Sequence, residues 1–259
     1  MLTLLTTNFI GRLKANDQAA WFELWQTFGP VVRAQLTKWG KGRIGSETVR
    51  DLSQETLAAL SESIDRYDPA RGARFSTWLL AIAKHVLGDE MDRRNALKRG
   101  GSKRAAVLDE SWMGAATTAG VDEQYEAAVF RAKVEAAIRM VEKETDFTDF
   151  SIYRMRVLDG QSGKEVAAAL GTSEPTVSRR LAKVRESLRR RLSEVIATYS
   201  FTDDEREEAA RNGLELNPKV DASGNPSAPF DEPGFDEAIA EIYHQQLELR
   251  RSDDANRVR

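Results

Sequence analysis

The stretch from Ser162 to Leu192, SGKEVAAALGTSEPTVSRRLAKVRESLRRRL, constrains the fold more than any other part of the chain. Val177, Leu181, Val184, Leu188 and Leu192 recur at spacings of four, three, four and four, which makes one stripe on a helix. Upstream, Gly163 to Leu170 reads as a short helix ended by Gly171, because glycine accepts the positive φ of a tight turn at little cost. The next helix opens near Glu174-Pro175, since a proline in the first turn gives up no intrahelical hydrogen bond. Two helices joined in this way form a helix-turn-helix, and the small Ala167 and Ala168 suit its close packing.

Away from its stripe the second helix carries Arg179, Arg180, Lys183, Arg185, Arg189, Arg190 and Arg191, opposed only by Glu186. A recognition helix lies in the major groove, its N-terminal residues meeting base edges while nearby cations hold phosphates. Thr176, Ser178 and Arg179 are thus candidate base readers, and Arg180, Lys183 and Arg185 candidate backbone contacts. The plainer alternative is a solvated basic face on a bundle helix, which leaves the glycine turn and the paired alanines unexplained.

Net charge supports a polyanion-binding body once it is divided along the chain. Residues 200–259 hold 15 acidic and 7 basic side chains, a balance of −8, so the overall −3 leaves +5 on residues 1–199. The absence of cysteine excludes disulfides and thiolate metal sites, and His85 and His244 are the only histidines. No glycine-rich phosphate loop or His/Cys cluster accompanies the abundant carboxylates, so neither catalysis nor a cofactor is expected. The start, MLTLLTTNFIGRLK, lacks a basic segment ahead of a long apolar run, and the reading is a soluble, cytoplasmic protein.

The rest of the chain also reads as helix, giving an all-α fold of two helical domains, a flexible linker and an acidic C-terminal extension. Phe9, Leu13, Trp21, Phe22, Trp25, Phe28 and Val32 follow helical spacing. Breaks fall at Gly40 to Gly45 and at Tyr67 to Gly72, predicting helices from Ser46 to about Arg66 and from about Ser76 to Arg94. The expected divisions are residues 1–94, a linker over 95–122, a second domain over 123–198 and the extension over 199–259. Within the extension, Asn212 to Gly234 reads as flexible, and a last helix from about Phe235 to Arg251 puts Phe235, Ile239, Ile242, Tyr243 and Leu247 on one face.

The first domain offers two polar faces. Asp51, Gln54 and Glu55 stand at i, i+3 and i+4, opposite Leu52, Leu57, Leu60 and Ile64, and form a patch that a partner with complementary donors can use. The following helix buries Phe75, Trp78, Leu79, Ile82 and Val86 and is expected to leave Lys84, His85, Asp89, Arg93 and Arg94 outside. Its aromatics either hold unpaired bases or form the core of a small bundle, and the second use is commoner.

Taken in order, DLSQE, YDPARG, FSTWLLAIAKHVLGDEMDRR and PTVSRRL resemble the extracytoplasmic-function group of bacterial sigma factors over roughly residues 7–195. The resemblance implies a first domain that grips core RNA polymerase and the melted minus-ten element, and a second that reads the minus-thirty-five element as duplex. By position, Asp51, Leu52, Gln54 and Glu55 would face the polymerase, and Lys84, His85, Asp89 and Arg93 the minus-ten element. Family members commonly carry acidic residues just before the Asp-Leu pair, whereas this chain has Thr48-Val49-Arg50-Asp51-Leu52. That departure resembles a subgroup switched by a Ser/Thr protein kinase. Phosphorylation of Thr48 would add about −1.5 to −2 of charge near the missing carboxylate, with Arg50 as the expected partner. The acidic extension is expected either to cover a basic DNA-binding surface, to pack on the first domain, or to be disordered over 212–234. Two other readings remain: a stand-alone helix-turn-helix regulator, which leaves the first domain's patch unexplained, and a pure interaction protein.

Overall fold

The computed structural model describes residues 4–67, 74–98, 123–200, 202–216 and 230–257. Among these every regular element is helical. The turn expected at 68–72, the linker over 99–122 and the stretch 217–229 lie outside the described residues. The chain divides into two compact units, Met1–Ala132 with Tyr199–Asp203, and Lys133–Thr198 with Asp204–Arg259.

The first unit is built on α1 (Leu4–Lys14), α2 (Gln18–Gly40), α3 (Ser46–Ser63) and α4 (Phe75–Lys98), joined by the early part of α5 (Glu123–Glu144). Both ends of α2 have a local cause. Asp17 caps α2, its carboxylate accepting from the N–H groups of Ala19 at 2.9 Å and Ala20 at 3.3 Å. At the other end the Ile44 side chain folds over Gly40, where a Cβ would stand 2.3 Å from it, and Gly42 takes φ +76°. Leu13, Leu24, Phe28, Leu36, Leu52, Leu60, Leu79 and Ile82 fill the core between these helices. Tyr67 stacks on Trp78 with centroids 4.8 Å apart, and Phe75 meets both rings, so the aromatics of α4 are core.

The second unit contains the remainder of α5, then α6 (Phe147–Tyr153), α7 (Gly163–Ala169), α8 (Glu174–Tyr199, to Thr198 in this unit), α9 (Asp203–Arg211, from Asp204 in this unit) and α10 (Glu232–Arg257). A π-helical segment, Arg154–Leu158, continues α6 and is closed by Asp159 N–H donating to the Arg154 carbonyl at 2.8 Å, with Gly160 at φ +70°. The apolar stripe of α8 is fully inside: Val177, Leu181, Val184, Leu188 and Leu192 are all buried. Lys133 is buried between Glu205 and Glu208 of α9, each 3.8 Å away.

Three expectations change. Helix α4 continues to Lys98, so its last turn occupies the start of the expected linker. Phe22, placed in the apolar pattern of α2, is 64% exposed because it follows Trp21 round the helix and leaves the buried side. The extension, set apart as its own division over 199–259, shares a unit with the helix-turn-helix over its described residues from Asp204 on.

Candidate nucleic-acid interface

Helix α7 is fixed at both ends by its own sequence. Ser162 and Glu165 form a capping box, in which the Ser162 hydroxyl accepts from Glu165 N–H at 3.2 Å and the Glu165 carboxylate accepts from Ser162 N–H at 2.7 Å. At the exit, Thr172 N–H donates to the Ala167 carbonyl at 2.9 Å and Gly171 N–H to that of Ala168 at 3.4 Å, with Gly171 at φ +60°. This pair of bonds is a Schellman turn, and it needs a residue at ease in the left-handed region. The next helix starts at once: Val177 N–H reaches the Ser173 carbonyl at 3.0 Å, and the hydroxyls of Ser173 and Thr176 are 2.9 Å apart.

The first turns of α8 look onto an open groove of about 730 Å³, lined by Asp146, Thr148, Asp149, Thr176, Arg179, Arg180 and Lys183. Asp149 is buried at 5% exposure and accepts from Arg180 Nη1 and Lys183 Nζ, each at 2.9 Å. Those cations stay accessible, with 43% and 70% of their side chains exposed, so a sunken carboxylate fixes their stems and presents their charge. Asp146 caps α6, and the N–H groups of Thr148 and Asp149 hold its carboxyl below the usual range. Three cations against two carboxylates leave the groove net positive. Thr176 is half-buried, while Ser178 and Arg179 are exposed at the same end of the helix.

Arg185 does not join this group. Its Nε lies 3.0 and 3.1 Å from the two carboxylate oxygens of Asp236 on α10, its Nη2 also donates to Asp236, and Glu232 is 3.3 Å away. Arg189, counted from the sequence as part of the outward basic face, is buried. Its guanidinium sits 4.0 Å from the ring centroid of Phe230 and 4.3 Å from that of Phe235, and it donates to Glu232 at 3.0 Å. Arg191 pairs with Glu144 and Glu194. The expectation of one continuous basic face is therefore corrected, because carboxylates distant in sequence engage part of it.

In the first unit Asp51, Gln54 and Glu55 are exposed together on α3, whereas Leu52 is buried at 2% exposure. Leu52 thus anchors the patch from beneath and does not stand in it. On α4, Lys84 and Arg93 are exposed and Asp89 is half-buried. His85, expected outside, is buried with Nε2 3.5 Å from Asp89. It lies beside Val86 and Ile82 on the inner side of the helix, which the pattern of charged neighbours conceals. Arg93 and Arg94 both donate to Glu90, at 2.7 and 2.6 Å, and hold its carboxyl below the usual range. Arg94 also donates to the Thr48 hydroxyl at 2.8 Å and to the Arg43 carbonyl at 3.0 Å.

Sequence reasoning misses Asp146, Asp149, Glu232 and Asp236. The Asp-Phe-Thr-Asp string gives a helix start, but nothing local links Asp149 to cations 31 and 34 residues away.

Two family models match the chain: Sigma-70 region 2 over residues 18–96, and Sigma-70, region 4 over residues 148–188. The first covers α2 to α4, and the second covers nearly all of α6, then α7 and the first half of α8. Among similar proteins are the probable RNA polymerase sigma-C factor of Mycobacterium bovis and the ECF RNA polymerase sigma factor SigC of Mycobacterium tuberculosis. Each is 30% identical over 138 residues, which is 53% of this chain and 66% of the relative, just short of two thirds of its length. The chain thus carries a match to Sigma-70 region 2 on the helices of a bundle, followed by a match to Sigma-70, region 4 on a capped helix-turn-helix, and it is similar to ECF sigma factors over about half of its length.

Proposed function

We propose that this chain binds core RNA polymerase and directs it to promoter DNA, the second unit reading duplex through the first turns of α8. The observation that carries this reading is the groove beside α8, where hydroxyls and cations converge at the start of a helix that follows a doubly capped one. Thr176, Ser178 and Arg179 stand where base edges would be met, and Arg180 and Lys183 where phosphates would lie. In the first unit, Asp51, Gln54 and Glu55 form the surface offered to the polymerase, with Leu52 fixing their height. Lys84, Asp89 and Arg93 supply the polar face toward the opened minus-ten element, and His85 acts from inside by positioning Asp89.

Charge reversal tests the polymerase surface without disturbing the core, because Asp51 and Glu55 are exposed. Asp51→Lys with Glu55→Lys should abolish capture of core polymerase while leaving duplex binding and the melting temperature near wild type. Unchanged capture would reject this assignment. Retention of duplex binding by a wild-type chain that never engages polymerase would favour the stand-alone regulator.

A second element of the proposal is control at Thr48 by a Ser/Thr protein kinase. Its hydroxyl faces Arg94, which reaches it from α4. Arg50, the partner expected from sequence, is two residues along the same helix and so projects elsewhere. A phosphate on Thr48 would compete with Glu90 for Arg94 and place negative charge one turn before Asp51. Thr48→Glu should raise affinity for core polymerase several-fold. Intact-mass analysis of protein from its native cell, under inducing conditions, should show the added phosphate, and a Thr48 that is always unmodified would count against the switch.

A further inference from the structure

The basic residues of α8 fall on two different sides of its buried stripe, and the two groups meet different chemistry. Arg180 and Lys183 flank one edge of the stripe and meet Asp149. Two residues on from Lys183, Arg185 projects from nearly the opposite side of the helix, and Arg189 follows it one turn later. This second pair meets the C-terminal segment: Asp236 and Glu232 on carboxylate oxygens, the Glu215 carbonyl at 3.2 Å, and the faces of Phe230 and Phe235. Just 17% of the Arg185 side chain and 8% of that of Arg189 reach solvent.

We infer that Arg185 and Arg189 form a docking face for the chain's own acidic C-terminal helix α10 and take no part in contacting nucleic acid. The occupant is fixed by complementarity. Helix α10 packs against the π-helical segment with Phe235 and Ile239 at 1% and 0% exposure, and its acids Glu232, in the first turn, and Asp236, one turn on, lie where the two guanidinium groups wait. A planar guanidinium accepts this combination better than a lysine would, since it binds a carboxylate through two nitrogens and lies flat on aromatic rings. The recognition helix therefore carries two basic faces with separate tasks, one for phosphate and one for protein. The extension is a working part of the second unit, and it leaves the groove side of α8 open.

The test sets Arg185→Ala and Asp236→Asn against Lys183→Ala in the full-length chain; its DNA arm rests on the promoter-binding reading. Affinity for a promoter-length duplex is measured across salt, together with amide hydrogen exchange over 232–247 and the melting temperature. Lys183→Ala should reduce the slope of log K against log salt by about 0.9, as one lost phosphate contact does, and leave exchange in α10 slow. Arg185→Ala and Asp236→Asn should keep the wild-type slope while α10 exchanges at least ten-fold faster. A slope that falls by about 0.9 in Arg185→Ala would make Arg185 a phosphate contact and overturn the inference. So would α10 amides that stay protected in both Arg185→Ala and Asp236→Asn. Should the wild type bind no duplex even at low salt, the promoter-binding reading fails, and hydrogen exchange still decides the docking face. Asp236→Asn retains an isosteric acceptor and keeps the question open to measurement if Arg185→Ala does not fold.

Discussion

Lys183 and Arg185 are two positions apart, identical in charge at neutral pH, and differently employed, which shows how far composition and motif can mislead at the residue scale. The periodicity that places Val177, Leu181, Val184 and Leu188 inside also puts the two cations on opposite edges of the stripe. What the sequence withholds is the counter-charge, because Asp149 and Asp236 reach α8 from helices 34 and 51 residues away. Gly171 is fully legible, since a positive φ at the end of a short helix leaves few other residues. Gly171→Ala meets no steric clash yet must hold φ +60°, so it should cost about 1–2 kcal/mol, read as a lower melting temperature with the fold retained. Glu90 gives a pH-dependent test. Arg93 and then Arg94 lower its native value, so its contribution is complete above the unfolded value of about 4.3 and is lost as pH falls through the lowered native one. Glu90→Gln should therefore melt below wild type at pH 7, with the gap closing under the most acidic conditions at which both fold.

At the scale of elements, boundaries are legible where a cap or a glycine marks them and less so where tertiary contact extends a helix. The Gly40–Gly45 break and the Ser46 start are of the first kind, because Gly42 takes a left-handed conformation and Ile44 packs over Gly40. The continuation of α4 to Lys98 is of the second, since Asn95 to Lys98 has a linker-like composition and gains support from the buried Ala96. The π-helical segment at Arg154–Leu158 leaves no periodicity that five residues can display. Helix α10 is legible as amphipathic, but its seat is not, and the apolar face expected to dock somewhere docks within the second unit. Phe235→Ala removes a side chain that is 1% exposed and one of the two rings on Arg189, so it should cost about 3–5 kcal/mol in the thermal unfolding of that unit. A melting temperature unchanged from wild type would mean that α10 is dispensable to the core.

Across the whole molecule, the all-helical class and the two-unit organisation follow from patterns repeated many times along the chain, and repetition is what makes both legible in the sequence. The order of the motifs carries the resemblance to sigma factors as well, and the matches to the two sigma-70 regions lie on the helices that bear those motifs. The aromatic residues of α4 are the ambiguous part, and the burial of Phe75 and Trp78, in contact with each other and with Tyr67 of the preceding turn, assigns them to the core. On the proposed reading, function rests on the exposed periphery: the α3 patch, the polar edge of α4 and the first turns of α8. The most direct test is initiation from a cognate promoter by core RNA polymerase supplied with this chain, as wild type, as Thr48→Glu and as the Thr48-phosphorylated form. Transcripts that start at a fixed distance from the promoter, require the added chain and vanish with Arg179→Ala plus Lys183→Ala are the expected result. A folded chain that binds duplex in all three forms yet neither engages core polymerase nor yields a transcript would contradict it.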